Sequence, residues 1–123
     1  MGTKRNPAIL VVDDDEAIRN TLKEILDGFE NFKVFLAKNG KTAMEKLSAI
    51  AKQHHPILLL LDVRAPGHDV LETYQELKEK GFLSKASVIF ITTSKQSVAV
   101  DIPIIRKPFS IEDLVEKIRG AVK

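Results

Sequence analysis

Five polar residues of this sequence stand at the ends of short apolar runs, namely Asp13, Asp14, Asp62, Thr92 and Lys107. Carboxylates within roughly 4 to 6 Å of one another repel unless a cation joins them. Oxygen ligands without His or Cys favour Mg²⁺, held by one or two carboxylates with water and a substrate phosphate. An ammonium and a hydroxyl suit the negative oxygens of a phosphoryl group. If the fold brings these residues together, they predict Mg²⁺-assisted phosphoryl chemistry.

The longest of these runs, residues 57–61, is the one that ends in Asp62. Pro56 precedes this run and Pro66-Gly67 follow it. A short apolar run between such residues is typical of a strand buried on both faces of a parallel sheet. Ligands of such sheets bind beyond the carboxyl ends of the strands, so Asp62 stands where chemistry is expected. The alternative is an Asp that merely opens a turn.

Strands and amphipathic helices alternate along the chain. The strands are predicted at residues 8–12, 32–37, 57–61, 88–91 and 102–105, and the helices begin near Asp15, Lys41, Val70 and Ser110. This alternation predicts an α/β fold with a parallel sheet and helices on both faces. Lys33 interrupts the second apolar run, which suits a strand near the sheet edge.

Right-handed crossovers place the carboxyl ends of all parallel strands at one edge, so the five polar residues should meet there. Each has a plain alternative: the residues 13–15 as helix caps, Thr92 as a strand-end hydroxyl, Lys107 as a solvated lysine. The occurrence of all five polar residues at strand ends favours a shared functional site. A carboxylate is already ionised at neutral pH, so Asp62 needs no general base to act as a nucleophile. His54 and His55 precede the central strand and are expected at the surface of the opposite edge.

Composition limits the classes of protein. The chain has 123 residues, 44% of them hydrophobic and 29% charged, with a net charge of +2 and no cysteine. These values predict a single domain over residues 1–123, with residues 1–6 as a loose tail. No charge run suggests nucleic acid or membrane as a partner, and no apolar run is long enough to cross a bilayer. We therefore expect a cytoplasmic protein without disulfides or thiolate metal sites.

Taken together, the motifs resemble the receiver domain of two-component response regulators. They are Val11-Val12-Asp13-Asp14-Asp15, Leu61-Asp62 with Pro66 four residues on, Ile91-Thr92, and Lys107-Pro108-Phe109. The resemblance runs from Ile9 to about Val122. It implies a flavodoxin-like sheet of five strands in the order 2-1-3-4-5 and a cis peptide bond between Lys107 and Pro108.

The resemblance also implies roles and partners. Asp62 would be the phosphoacceptor, and Thr92 and Lys107 would contact the phosphoryl group. Mg²⁺ would be held by Asp13, Asp14, Asp62 and the backbone carbonyl of Arg64. The donor would be a sensor histidine kinase or a histidine phosphotransfer protein, and the target an unknown downstream protein. Such a chain is no turnover enzyme, although it catalyses its own phosphorylation and dephosphorylation.

Two other interpretations stay open. One is a receiver-shaped interaction module that is never phosphorylated and binds its partner constitutively. The other is a hydrolase that turns over an aspartyl phosphate, but the sequence offers no strong candidate for a group that activates water. The intact acceptor, acidic pair, Thr92 and Lys107 favour a stand-alone phosphorylated receiver.

The sequence departs from the family pattern near its fourth and fifth strands. Ile104 stands where the family usually has Tyr or Phe, so a rotamer switch of an aromatic ring is absent. Only nine residues, 93–101, connect the predicted strands, whereas a crossover with its helix takes at least about 10 to 12. The helix that the family places there is expected to be short or absent, and signalling through the usual surface around it is not expected. Arg64 is two residues after Asp62, and its side chain either contacts the phosphoryl group or points into water.

Overall fold

The computed structural model describes residues 7–28, 32–54, 56–63, 70–81, 84, 86–92 and 103–121. Its strands are β1 (Ala8–Val12), β2 (Lys33–Ala37), β3 (Ile57–Val63), β4 (Ser87–Thr92) and β5 (Ile104–Arg106). Its helices within these ranges are α1 (Glu16–Asp27), α2 (Gly40–Ile50), α3 (Val70–Glu79) and α4 (Ile111–Ala121). None of the helices described is both long enough and apolar enough to span a membrane.

The five strands form one parallel sheet in the order β2-β1-β3-β4-β5. This is the predicted order, and β3 lies at its centre. The β2 strand, which contains Lys33, lies at one edge, as its interrupted apolar pattern predicted. All strands point the same way, so their carboxyl ends share one edge of the sheet.

The sheet buries side chains on both faces, which is why its strands read as nearly continuous apolar runs. Alternate residues of each strand face opposite sides. One face packs against α2 and α3 through a buried cluster that includes Leu10, Leu47, Leu59, Leu77 and Phe90. The other packs against α1 and α4 through a cluster that includes Ile9, Leu26, Leu60, Ile89, Leu114 and Ile118. The core is therefore two layers separated by the sheet.

Side-chain caps begin three of the helices. Asp15 caps α1 by accepting the backbone N–H of Ala17 at 2.9 Å. Asn39 caps α2, and the Ser110 hydroxyl accepts the backbone N–H of Asp113 at 3.0 Å at the start of α4. Such caps satisfy N–H groups that have no partner within the helix. The helices predicted to begin near Asp15 and Ser110 thus have their caps at those two residues.

Four of the five strands differ from the sequence prediction at one end or at both. Both β3 and β4 are longer than predicted, so Asp62 and Thr92 lie within strands and not beyond them. Asp62 pairs with Ile91, and Thr92 pairs with Val63. Asp62 and Thr92 can pair with the neighbouring strand because backbone hydrogen bonding between strands does not depend on side-chain polarity. The last strand begins at Ile104 rather than at residue 102.

The register of β5 makes the connection that precedes it longer than predicted. Ile104 pairs with Phe90, and the carbonyl of Pro103 accepts the N–H of Phe90 at 3.0 Å. The chain therefore returns only to the level of Phe90, not to the amino end of β4. The connection has eleven residues, 93–103, rather than nine. The connection is therefore longer than predicted, and the predicted short or absent helix falls on residues 93–101, outside the described part of the chain.

Candidate functional site

Asp62 and Lys107 form an ion pair at the carboxyl edge of the sheet. The Lys107 ammonium lies 3.2 Å from Oδ1 of Asp62, and their side chains are 25% and 4% exposed, respectively. The central strand positions Asp62 by its pairing with Ile91. Lys107 follows β5 directly, and a cis peptide bond joins it to Pro108, as the family resemblance implied. A nearly buried carboxylate thus faces a cation that still reaches solvent.

Asp13 lies beside Asp62 across the β1–β3 pair. Val12 pairs with Leu61, so the next residue of each strand end is level with the other. The backbone N–H of Asp13 donates to the carbonyl of Ala37 at 3.1 Å, which ties the residue to β2. Its side chain is buried, including Oδ2, and Oδ1 accepts the backbone N–H of Asp15 at 2.8 Å. Asp13 is therefore a fixed carboxylate within the site.

The three consecutive aspartates have different environments. Asp13 is buried, Asp14 is exposed, and Asp15 is half-buried at the first turn of α1. The carboxylate of Asp15 accepts the N–H groups of Ala17 and Ile18 at 2.9 and 3.3 Å. Helix capping thus explains Asp15, but it does not explain the position of Asp13 or Asp14.

Thr92 ends β4 and is buried, with 4% of its surface exposed. Its carbonyl accepts the backbone N–H of Lys107 at 2.8 Å, so the ends of β4 and β5 are joined at the site. This contact places Thr92 beside the backbone of Lys107. Its predicted hydrogen bond to a phosphoryl oxygen stays a prediction.

Three further residues of the sequence predictions are Arg64, His54 and His55. Arg64, with its predicted carbonyl ligand, falls outside the described residues, as does His55. His54 follows α2 and makes an edge-to-face contact with the Phe35 ring at a centroid distance of 5.4 Å. It is half-buried, so it reaches the surface in part, and its imidazole packs against the Phe35 ring.

Asp13 and Lys107 also line an open groove of about 630 Å³ between α1 and the start of α4. Apolar side chains form most of its walls, among them Ile18, Phe109 and Ile111. Ile111 is 49% exposed. The charged edge is therefore open to solvent through a concave surface.

The oxygen donors at this edge fit a hard divalent cation. Within the described ranges, no three acidic or histidine side chains converge closely enough to form a complete protein-made metal site. Mg²⁺ does not require one, because it usually keeps several waters and binds one or two carboxylates with phosphate oxygens. Asp13, which is buried, and Asp14, which is exposed, supply such a pair next to Asp62. Softer or nitrogen-preferring metals do not suit a donor set without His or Cys.

Arg19 also lies in this region, although no sequence motif pointed to it. Its guanidinium donates from Nη1 to the backbone carbonyl of Asp13 at 2.7 Å. The available signal was a cation four residues after Asp15 and three residues beyond the end of the acidic run 13–16. That spacing alone would have suggested a pair with Asp15 on the helix surface. The structure directs the side chain back to the strand end instead.

Comparison with known proteins gives one consistent result. The sequence matches the family described as "Response regulator receiver domain" over residues 9–119. It is 32% identical over 123 residues to "Response regulator MprA" of Mycobacterium leprae, with 94% of this chain and 50% of that protein covered. It is 32% identical over 118 residues to "Transcriptional regulatory protein CrdR" of Helicobacter pylori, with 90% of this chain and 53% of that protein covered.

Among solved structures, the fold is similar to the receiver domain from the hybrid histidine kinase CckA. The TM-score is 0.71 at 27% identity, with 94% of this chain and 99% of that chain covered. The chain thus matches almost the whole of that receiver domain. By contrast, it spans about half the length of the curated relatives.

Proposed function

This chain belongs to the response regulator receiver domain family, and on that premise we propose that it accepts a phosphoryl group on Asp62 in a Mg²⁺-dependent reaction. The donor is a phosphohistidine of a sensor histidine kinase or of a histidine phosphotransfer protein. Phosphorylation then switches binding to a downstream protein. The observation that carries the proposal is the nearly buried Asp62 carboxylate, 3.2 Å from the Lys107 ammonium and level with Asp13.

The residues suit an in-line displacement. A bond forms between a carboxylate oxygen of Asp62 and phosphorus, while the P–N bond to the donor imidazole breaks and the imidazole takes up a proton. Lys107 stabilises negative charge on the phosphoryl oxygens, and Thr92 donates its hydroxyl to one of them. Asp13, Asp14, Asp62 and the carbonyl of Arg64 would hold Mg²⁺. When bound, this ion neutralises charge on the phosphoryl oxygens.

Incubation with a small phosphodonor and Mg²⁺, followed by intact mass measurement, tests the proposal. The wild type should gain about 80 Da, the mass of one phosphoryl group. The Asp62→Asn variant should gain none, because its neutral amide is not a nucleophile. An adduct that survives this substitution would place the acceptor at another residue. A wild type that takes no phosphoryl group would favour the constitutive interaction module.

Mg²⁺ should also stabilise the folded chain. A ligand that binds only the folded state adds RT ln(1 + [L]/Kd), or about 1.4 kcal/mol at roughly ten times its Kd. Asp14→Ala should remove most of this gain, and Asp14→Asn without metal should be at least as stable as wild type, since it relieves repulsion among the acids. Thermal denaturation across millimolar Mg²⁺ measures the effect. A wild-type midpoint that does not respond to Mg²⁺ would contradict the metal assignment.

Several expectations about the protein as a whole stay predictions. They are its cytoplasmic location and its lack of turnover chemistry. The expectation that nucleic acid is no partner has no support from the comparisons, because one relative carries the name of a transcriptional regulatory protein. The proposed function concerns the receiver residues alone.

A further inference from the structure

Arg19 links α1 to the end of β1. The residue lies in the second turn of α1 and is half-buried. Its Nη1 donates to the backbone carbonyl of Asp13 at 2.7 Å.

The hydrogen bond closes a network around the aspartate loop. The backbone N–H of Arg19 donates to the Asp15 carbonyl at 3.0 Å, and the backbone N–H of Asp15 donates to Asp13 Oδ1 at 2.8 Å. Asp13 is in turn tied to β2 through Ala37. Asp14 is the exposed residue in the middle of this network. Arg19 therefore contacts the loop on both sides of Asp14.

The carbonyl that Arg19 contacts belongs to the peptide group joining Asp13 to Asp14. Because a peptide group is planar, fixing its oxygen also fixes the direction in which the chain enters Asp14. Without that donor, the group could rotate and the exposed carboxylate of Asp14 would sample many orientations. A preorganised carboxylate binds a cation more tightly, because less conformational freedom is lost on binding.

We propose that Arg19 is a positioning residue that holds the Asp13–Asp14 peptide so that the Asp14 carboxylate is oriented for a divalent cation. The proposal rests on the proposed function, since that function assigns Mg²⁺ to this pair. A positioning role and a purely electrostatic role predict opposite changes in Mg²⁺ affinity when Arg19 is replaced. The positive charge of Arg19 by itself repels Mg²⁺, so a purely electrostatic role predicts tighter binding when the charge is removed. A positioning role predicts weaker binding.

The test compares Mg²⁺ affinities of wild type, Arg19→Met and Arg19→Lys by isothermal titration or amide chemical shifts. Loss of a group that orients a metal ligand typically costs tenfold or more in affinity, so Arg19→Met should bind Mg²⁺ about tenfold more weakly. Arg19→Lys keeps a charge and a donor and should recover at least half of the loss on a logarithmic scale. Lys23→Met, which removes a cation one turn further along α1, is the matched control and should leave the affinity within about twofold.

Phosphorylation kinetics supply a second readout. The rate of Asp62 phosphorylation by the small phosphodonor should need more Mg²⁺ in Arg19→Met, yet approach the wild-type rate when Mg²⁺ saturates. A general structural role would instead lower the rate at saturation. Circular dichroism checks that the variant folds, and Arg19→Gln replaces the Met variant if it does not.

The outcomes separate the two proposals. Wild type that neither binds millimolar Mg²⁺ nor becomes phosphorylated contradicts the proposed function. Wild type that binds Mg²⁺, with Arg19→Met binding equally or more tightly, overturns the positioning role alone. A Lys variant as weak as the Met variant also overturns it, because the donor would then have no part in the effect.

Discussion

Replacing Lys107 with methionine should slow phosphorylation of Asp62 by roughly a hundredfold to a thousandfold, the usual effect of removing one charge-stabilising donor. Lys107 is the cation seen next to the acceptor, 3.2 Å from its Oδ1. Methionine has a similar length and no charge, so the aliphatic packing is kept. The backbone hydrogen bond from residue 107 to Thr92 does not depend on the side chain. The initial rate of adduct formation, followed by intact mass, measures the effect.

The same substitution should strengthen Mg²⁺ binding. The ammonium competes with a metal ion for Asp62, and its removal leaves the acidic group more negative. Opposite changes in affinity and rate would distinguish a role in phosphoryl transfer from a loss of the metal site. Lys117→Met removes an exposed lysine from α4 and is the control. A Lys107→Met variant that reacts within about threefold of wild type would show that Lys107 has no part in phosphoryl transfer.

Replacing Phe90 with alanine should reduce the free energy of unfolding by about 3 to 5 kcal/mol. The Phe90 side chain is completely buried in the cluster between the sheet, α2 and α3. The residue also pairs with Leu61 on β3 and with Ile104 on β5. Its loss should leave a cavity beside β4, the strand that lies between the central strand β3 and the edge strand β5. Since domains of this size have only about 5 to 15 kcal/mol of stability, much of the total would be lost.

Urea denaturation followed by circular dichroism at 222 nm would measure this change, because the chain has no Trp to report on folding. Ile111→Ala is the control, since Ile111 is 49% exposed on α4. Its effect should stay within about 0.5 kcal/mol. A Phe90→Ala variant that loses less than about 1 kcal/mol would mean that the neighbouring side chains collapse into the space.

The order of the elements and the edge at which the polar residues meet could both be predicted from the amino-acid sequence. Strand and helix periodicities differ, and parallel strands with right-handed crossovers can only place Asp13, Asp62, Thr92 and Lys107 at one edge. The edge position of β2 was visible in Lys33, because a charge is tolerated where one side of a strand is open. The start of the last helix at Ser110 could also be predicted, because the cap depends only on the spacing between Ser110 and Asp113.

Features in which several groups compete for the same hydrogen-bond or pairing partner could not be predicted, because packing between elements selects the partner. Three adjacent aspartates offer the same side chain, and only the surrounding N–H groups make Asp15 the cap while Asp13 stays at the strand end. The register of β5 beside Phe90 comes from pairing across the sheet, which no local pattern encodes. Arg19 has a long side chain that can reach several acceptors, and the fold brings the carbonyl of Asp13 within 2.7 Å of it. Contacts between residues near in sequence but on different elements are set by packing, so the local sequence leaves them open.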